Sequence, residues 1–172
     1  QSKGFFSSVE RLVPNHKGLI YFPNWAETIF ENSKNNKSEN QGKKRFLFAE
    51  NVGRLQNLES LLNSIYSLKK LDESLFNTVE FEIVGDGSAK ESLVKMTEDM
   101  KLQDVVKFTG NLPLEEMPKL YHSADFLYIS LIPGDTFDKT IPGKLQSYMA
   151  CGIPVVGFIG GETLKLLSSI DN

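Results

Sequence analysis

The stretch FLFAENVGRLQNLESLLNSIYSLKKLDESLFNTVEFEIVGDGS, residues 46–88, decides the fold. It opens on one apolar run, Phe46 to Phe48, and nears its end on another, Val79 to Val84, each followed by a turn that contains glycine. Between them Leu58, Leu61, Leu62, Ile65 and Leu68 recur at helical spacing and make one apolar face. A strand, a helix and a second strand form the crossover unit of a parallel sheet, because parallel neighbours cannot be joined by a tight hairpin.

Outward from this unit the pattern repeats. Val105 to Phe108, Phe126 to Leu131 and Ile153 to Phe158 are short runs apolar on both faces, which suits strands covered by helices on both sides. Ala89, Leu93, Met96 and Met100 mark a second helix, and Leu114 to Ser123, Leu145 to Cys151 and Glu162 to Ser169 supply three shorter helical segments. The alternation predicts an α/β fold, a doubly wound parallel sheet in three layers, as a single domain over residues 1–172. Ligands of such a sheet lie at the carboxyl ends of its strands. Two regions stand outside the repeat. Residues 31–44, ENSKNNKSENQGKK, are almost devoid of apolar side chains and read as a mobile loop. Gly18 to Trp25, GLIYFPNW, reads as a strand or extended segment leading into the sheet.

Composition narrows the function classes. The 172 residues are 40% hydrophobic and 24% charged, the balance of an ordinary globular protein. A net charge of −3, with dispersed basic residues, offers no field for a polyanion and speaks against a nucleic-acid partner. Cys151 is the single cysteine, so an internal disulfide is excluded and a reducing cytosol fits. With His16 and His122 as the two histidines, no metal-ligand spacing arises, and no cofactor is called for. No apolar run approaches the roughly 18 to 20 residues that cross a bilayer. Gln1 to Arg11 lacks an initiator methionine and a signal-peptide core, so the sequence reads as a piece of a longer protein.

Four strand ends carry the residues from which a site could be made. Glu50-Asn51-Val52-Gly53-Arg54 follows the first strand and either frees amides for a phosphate or simply turns the chain. In Gly85-Asp86-Gly87-Ser88, Asp86 or Ser88 serves equally well as a helix cap. Thr109-Gly110-Asn111-Leu112-Pro113 either lines a cleft or is a plain polar turn. The fourth, Gly134 to Lys144 (GDTFDKTIPGK), runs into a helix whose first turn holds Pro142, Gly143 and Lys144. Free amides and an ammonium converging there suit an anion, most naturally a phosphate, against the alternative of a solvated loop. There is no nucleophile elbow, no Walker loop and no Gly-x-Gly-x-x-Gly. His122 reads as a cap or surface residue and Cys151 as a buried, inert thiol, so no residue is assigned a catalytic role.

The succession Phe48-Ala49-Glu50-Asn51-Val52-Gly53, Ile83-Val84-Gly85-Asp86-Gly87, Val106-Lys107-Phe108-Thr109-Gly110, Tyr121-His122-Ser123-Ala124-Asp125 and IPGKLQSYMACGIPVV (Ile141 to Val156) resembles a known family. It is similar to the carboxyl-terminal, donor-binding domain of GT-B glycosyltransferases of family 4, of the type that builds bacterial surface polysaccharides. Phe22-Pro23-Asn24-Trp25 looks similar too, and the match runs in order from about Ile20 to Glu162. The resemblance implies a Rossmann-like domain, one half of a GT-B fold. It implies retaining, metal-independent transfer of a hexosyl unit from a nucleotide diphosphate sugar, UDP- or GDP-linked, in polysaccharide or glycoconjugate synthesis. The acceptor site and the family's base candidates would lie on an amino-terminal domain outside this sequence, so the fragment alone is expected to be inactive. The expected location is cytoplasmic, or the inner membrane face for the full-length enzyme, with no membrane segment here.

Carried over residue by residue, the resemblance turns Asn51, Gly53, Arg54 and Gln56 toward the diphosphate and has the Gly143 and Lys144 amides cradle its distal phosphate. Gly110, Asn111 and Leu112 would border the base. The sequence departs from the family at Asn51 and Gln56, where an arginine and a lysine are usual, so Arg54 and Lys144 are the replacements available. It departs again at Lys139 and Ser147, where the family places paired glutamates eight positions apart. Ser147 would hydrogen-bond the ribose, and Asp135 or Asp138 would take the place of the sugar-side carboxylate. Two other readings compete. Half of a sugar-nucleotide epimerase would need carboxylates and a histidine in the cleft, where His122 is poorly placed. A receiver-like nucleotide-binding module would need a phospho-accepting aspartate after the third strand, where Thr109-Gly110-Asn111 has none.

Overall fold

In the computed structural model, residues 2–31 and 42–170 are described. Five strands, β1 (Lys44–Ala49), β2 (Val79–Val84), β3 (Val106–Gly110), β4 (Phe126–Ser130) and β5 (Val155–Phe158), make one sheet in the order β3-β2-β1-β4-β5. Every pairing is parallel. The helices are α1 (Phe6–Leu12), α2 (Thr28–Glu31), α3 (Leu58–Leu71), α4 (Glu73–Phe76), α5 (Lys90–Asp99), α6 (Met117–His122), α7 (Asp135–Asp138), α8 (Lys144–Ala150) and α9 (Gly161–Ser168). The chain winds outward from β1 to β3 and then returns to place β4 on the other side of β1. That reversal leaves a crevice beyond the carboxyl end of β1, the position where open α/β sheets take ligands.

Period-two alternation along each strand divides the core into two layers. Leu47 and Ala49 of β1 join Leu127 and Ile129 of β4, with Tyr121 of α6 and Leu145 and Tyr148 of α8 packed over them. Phe48, Ile83 and Tyr128 belong to the other layer, covered by Leu58, Leu62 and Ile65 of α3 and by Leu93 of α5. This is the doubly wound, three-layer, Rossmann-like α/β architecture that the alternating pattern predicts.

The differences have local causes. The run expected from Ile153 begins its strand at Val155, since Pro154 has no N–H to give a ladder and contributes its carbonyl to Leu127 instead, at 2.9 Å. The segment expected at Leu114 starts as a 3-10 turn, Leu114–Glu116, before α6 begins with Pro118 in its first turn. Of the two alternatives for Gly18 to Trp25 the strand is overturned, for the segment forms none and joins no sheet edge. Pro23 removes a donor, Phe22 and Trp25 pack edge-on against each other at 5.5 Å, and Ile20 and Trp25 stand 91% and 70% exposed. The loop expected over 31–44 falls mostly on residues 32–41, which lie outside the described residues.

One glycine is dictated by close approach. Gly85, just past β2, has φ +135, and a Cβ there would lie 2.0 Å from the Glu50 carbonyl oxygen. Val52 N–H donates to Asp86 O at 2.8 Å, and Ala89 N–H to Val52 O at 3.0 Å, so the turns after β1 and β2 are fastened together.

Candidate functional site

A cavity of about 440 Å³ opens at the carboxyl ends of the first three strands. Ala49, Glu50 and Asn51 after β1, and Val84, Gly85 and Asp86 after β2, form one side. Asn111, Leu112, Leu114 and Met117 form an apolar-to-polar wall after β3, and Lys144 closes the space from the start of α8. Strand ends supply backbone here because the sheet's hydrogen bonds stop at them, leaving the following amides and carbonyls to turns.

The placement of Lys144 follows from packing below it. Tyr148, one turn further along α8, is fully buried, and its hydroxyl accepts the Ala49 N–H at 3.0 Å. That bond ties α8 to the last residue of β1 and brings the half-buried Lys144 alongside Glu50. Burial pushes the Glu50 carboxyl up from 4.5 to about 7, even though the Lys144 ammonium pulls it down. Its Oε1 is buried and has no hydrogen-bond partner among the described residues. Burial, with a smaller push from the same carboxylate, raises the Tyr148 and Tyr121 phenols above their ordinary range.

The expected site residues divide into those at the cavity and those beside it. Asn51, Asn111, Leu112 and Lys144 line it. Gly110 ends β3 with φ +80, and its carbonyl accepts the Gly85 N–H at 2.8 Å, so it shapes the rim. Gly53, Arg54 and Gln56 occupy the adjoining 3-10 turn, where the Gln56 side chain accepts the Gly53 N–H at 3.2 Å. This turn is docked onto the strand-four loop, as the Ile132 N–H donates to Leu55 O at 2.9 Å and the Ser130 hydroxyl donates to Gln56 O. Gly143 precedes α8 with open space where a side chain would stand.

Ser147 is 2% exposed, and its hydroxyl donates to the carboxylate of exposed Glu27 at 3.1 Å. Asp135 and Asp138 belong to α7, after β4, and not to the cavity wall. Asp135 pairs with Lys139 at 2.8 Å, and that ammonium holds its carboxyl below the ordinary carboxylate range. Asp138 borders a separate space of about 140 Å³ with Phe137 and Phe158. Asp86 lines the main cavity, and a hydrogen bond from Lys90, then one from the Gly87 amide, keeps it below the usual range. Neither Asp86 nor Ser88 caps α5, whose first turn follows Ala89 with no side-chain cap.

Sequence reasoning missed Glu50 as a half-buried acid and Leu114 and Met117 as the apolar wall. The signal for Glu50 was present: a carboxylate set directly after a run buried on both faces has little water to reach. His122, expected at a surface or cap, is 4% exposed, and Cys151 is buried as expected. Among the described residues no three His, Cys, Asp or Glu side chains converge on a metal site, and no helix is long and apolar enough to cross a membrane. The arrangement suits the binding of a ligand with one anionic end, toward Lys144, and one flat apolar end, toward Leu112, Leu114 and Met117.

The profile of the family described as glycosyl transferases group 1 matches residues 29–165. Among curated proteins, the probable glycosyltransferase WbjE of Pseudomonas aeruginosa is 28% identical over 165 residues, covering 90% of this chain and 39% of that protein. Among solved structures, WaaG, a glycosyltransferase involved in lipopolysaccharide biosynthesis, superposes with a TM-score of 0.80 at 13% identity, over 99% of this chain and 46% of that one. The pneumococcal O-GlcNAc transferase GtfA, in complex with UDP and GlcNAc, superposes with a TM-score of 0.66 at 14% identity, over 93% and 29%. The chain thus spans less than half the length of each.

Proposed function

Because the chain belongs to the family of glycosyl transferases group 1, we propose that it is the donor-binding half of a two-domain GT-B glycosyltransferase of family 4. In this reading it holds a nucleotide diphosphate sugar while an acceptor domain, elsewhere in the full-length protein, presents the nucleophile. The observation that carries the reading is the cavity at the ends of β1, β2 and β3, with Lys144 at its anionic end and the Leu112, Leu114 and Met117 wall at the other. UDP bound to GtfA, a structure of the same fold, supports a UDP-linked donor, with GDP the second choice.

The base would stack against Leu112 beside the Gly110 and Asn111 turn. The diphosphate would lie between Asn51 and Lys144, with the amides of Gly143 and Lys144 on its distal phosphate. When the glycosidic bond to the donor breaks, negative charge grows on that phosphate. A fixed ammonium and fixed dipoles stabilise it without having to reorganise, so no metal is required in this scheme. Transfer with retention, of a hexosyl unit, into a bacterial surface polysaccharide or glycoconjugate, is the accompanying proposal, supported by the lipopolysaccharide role of WaaG. Ser147 is buried against Glu27, so a ribose contact on this side of α8 would be made by the exposed Glu27 carboxylate that Ser147 holds. Cytoplasmic action follows from where nucleotide sugars are held.

Calorimetric titration of the chain with UDP, GDP and ADP, and then with the matching sugars, tests the reading. Saturable binding of one diphosphate in preference to its nucleoside is expected. Folded protein that binds none of them would overturn it.

A further inference from the structure

Glu50 has no part in the scheme above, yet burial holds its half-buried carboxyl well above the ordinary range. Its Oε1 is sealed from water and has no hydrogen-bond partner among the described residues, and no ion pair within 4 Å joins it to Lys144. Both residues nonetheless border the same space, and Lys144 is the cation that acts on it. The other groups facing Glu50 are the phenols of Tyr148 from α8 and Tyr121 from α6, both pushed up in pKa and therefore neutral throughout the working range. Across the cavity Asp86 is already held by Lys90 and stays ionised. The charge of the anionic end is therefore set by two groups. When Glu50 is ionised, the pair is neutral. When it is protonated, the Lys144 charge is unopposed.

We propose that Glu50 is a positioning residue that sets the charge Lys144 presents, so that a diphosphate enters the cavity together with one proton taken up from solvent onto the Glu50 carboxylate. This rests on the donor-binding reading and adds to it a coupled proton. The mechanism is reciprocal: a phosphate beside Lys144 takes up that cation's field and adds its own negative charge, and both effects favour the neutral acid. Binding to this site should weaken as pH rises through the range in which Glu50 ionises, the reverse of what the ligand's own phosphate ionisation gives.

The test is calorimetry of UDP, GDP and ADP in turn at pH 8, where the diphosphates are fully ionised, in two buffers of different ionisation enthalpy. From a carboxyl at about 7 in the free protein, a rise of about one pKa unit on binding gives an uptake of about 0.4 proton. On the same basis Glu50→Gln, which fixes the neutral state, binds the diphosphate about five-fold more tightly than the native chain at pH 8. It takes up no proton. The bare nucleoside gives no proton uptake with either protein. Binding without uptake, or a Glu50→Gln variant whose affinity keeps the native pH profile, would overturn the inference and leave the donor-binding reading intact. Failure of every diphosphate to bind would overturn both. If the variant does not fold, carbon-13 titration of the Glu50 carboxyl in the native chain decides: its midpoint should move upward with diphosphate, and an unmoved midpoint refutes the coupling.

Discussion

Replacing Lys144 by alanine separates the anionic end of the cavity from its apolar end. Lys144 is half-buried, and among the described residues no ion pair within 4 Å occupies its ammonium, which is therefore available to a ligand. A hydrogen bond from a charged donor contributes roughly 1.5 to 3 kcal/mol, which corresponds to about 10- to 150-fold in affinity. The structure pulls the expected loss toward the lower end. Without the ammonium, Glu50 loses the cation that lowers its pKa and rises further above about 7, so it is neutral at pH 7. The net charge removed from the cavity is then less than one unit, and a loss of about 10- to 30-fold for the diphosphate is expected. The nucleoside, which in the proposed pose would reach only the Leu112, Leu114 and Met117 wall, should weaken less than about two-fold, since only the phosphates would meet the missing charge. Paired calorimetric titrations of UDP and uridine, on native and Lys144→Ala protein of matched melting temperature, measure both numbers. Equal losses for the two ligands, or no loss for either, would refute the placement of the phosphates at α8.

Four further outcomes follow from the same geometry. Tyr148→Phe leaves the Ala49 N–H buried without its acceptor, a cost of about 1 to 3 kcal/mol. Thermal denaturation should then show a melting temperature lower by about 2 to 12 °C. Gly85→Ala forces a Cβ to 2.0 Å from the Glu50 carbonyl at φ +135, so it should cost more than about 4 kcal/mol or prevent folding. Gly143→Ala, with φ −63 and open space around it, should stay within about 0.5 kcal/mol of native in urea denaturation. Finally, Glu50 has a folded pKa of about 7 against 4.5 when free, so the folded state holds more protons between those values. Stability from this group is complete below pH 4.5 and falls as pH rises toward 7, by about 3 kcal/mol at most, then levels off. Urea midpoints of native and Glu50→Gln protein from pH 4.5 to 8 should converge at the acid end and diverge toward neutrality.

Much of the fold was legible because its signals are local and redundant. The apolar runs at Phe46, Val79 and Phe126 are bounded by turn residues, and the Leu58 to Leu68 period could only be a helix over one face of a sheet. That the sheet is parallel and doubly wound was legible through the crossover rule, whereas the order of its strands was not. The stretch GLIYFPNW misled because apolar content is a statement about burial, and burial depends on a partner that no local pattern names; Ile20 and Trp25 remain exposed. At the site, the turns after β1, β2, β3 and β4 were found from glycines and small polar residues, and Asn51, Asn111, Leu112 and Lys144 do meet at one cavity. Their separation from Gly53, Arg54 and Gln56 was not legible, since a single turn of 3-10 helix decides which side chains face inward. Nor was the contact between Ser147 and Glu27, two residues 120 positions apart whose meeting depends on how α2 lies against α8.

Glu50 shows why a site can be recognised by what it costs. An ionised carboxyl at this depth takes about 3 kcal/mol, at neutral pH, from a total that is typically about 5 to 15 kcal/mol for a domain. Glutamine would occupy the same volume and avoid that charge entirely. Packing therefore gives no reason for the acid, and neither does secondary structure, because the residue follows β1 and caps no helix. The residue that relieves the cost is Lys144, and Lys144 is held in place by the Tyr148 hydroxyl on the β1 amide immediately before Glu50. A cation and an acid are thus brought together by one buried hydrogen bond, at the one end of the sheet where the topology leaves room for a ligand. Departures from the stable choice are concentrated where binding occurs, and here the departure also fixes what the ligand must bring: enough negative charge to make the neutral acid the favoured state.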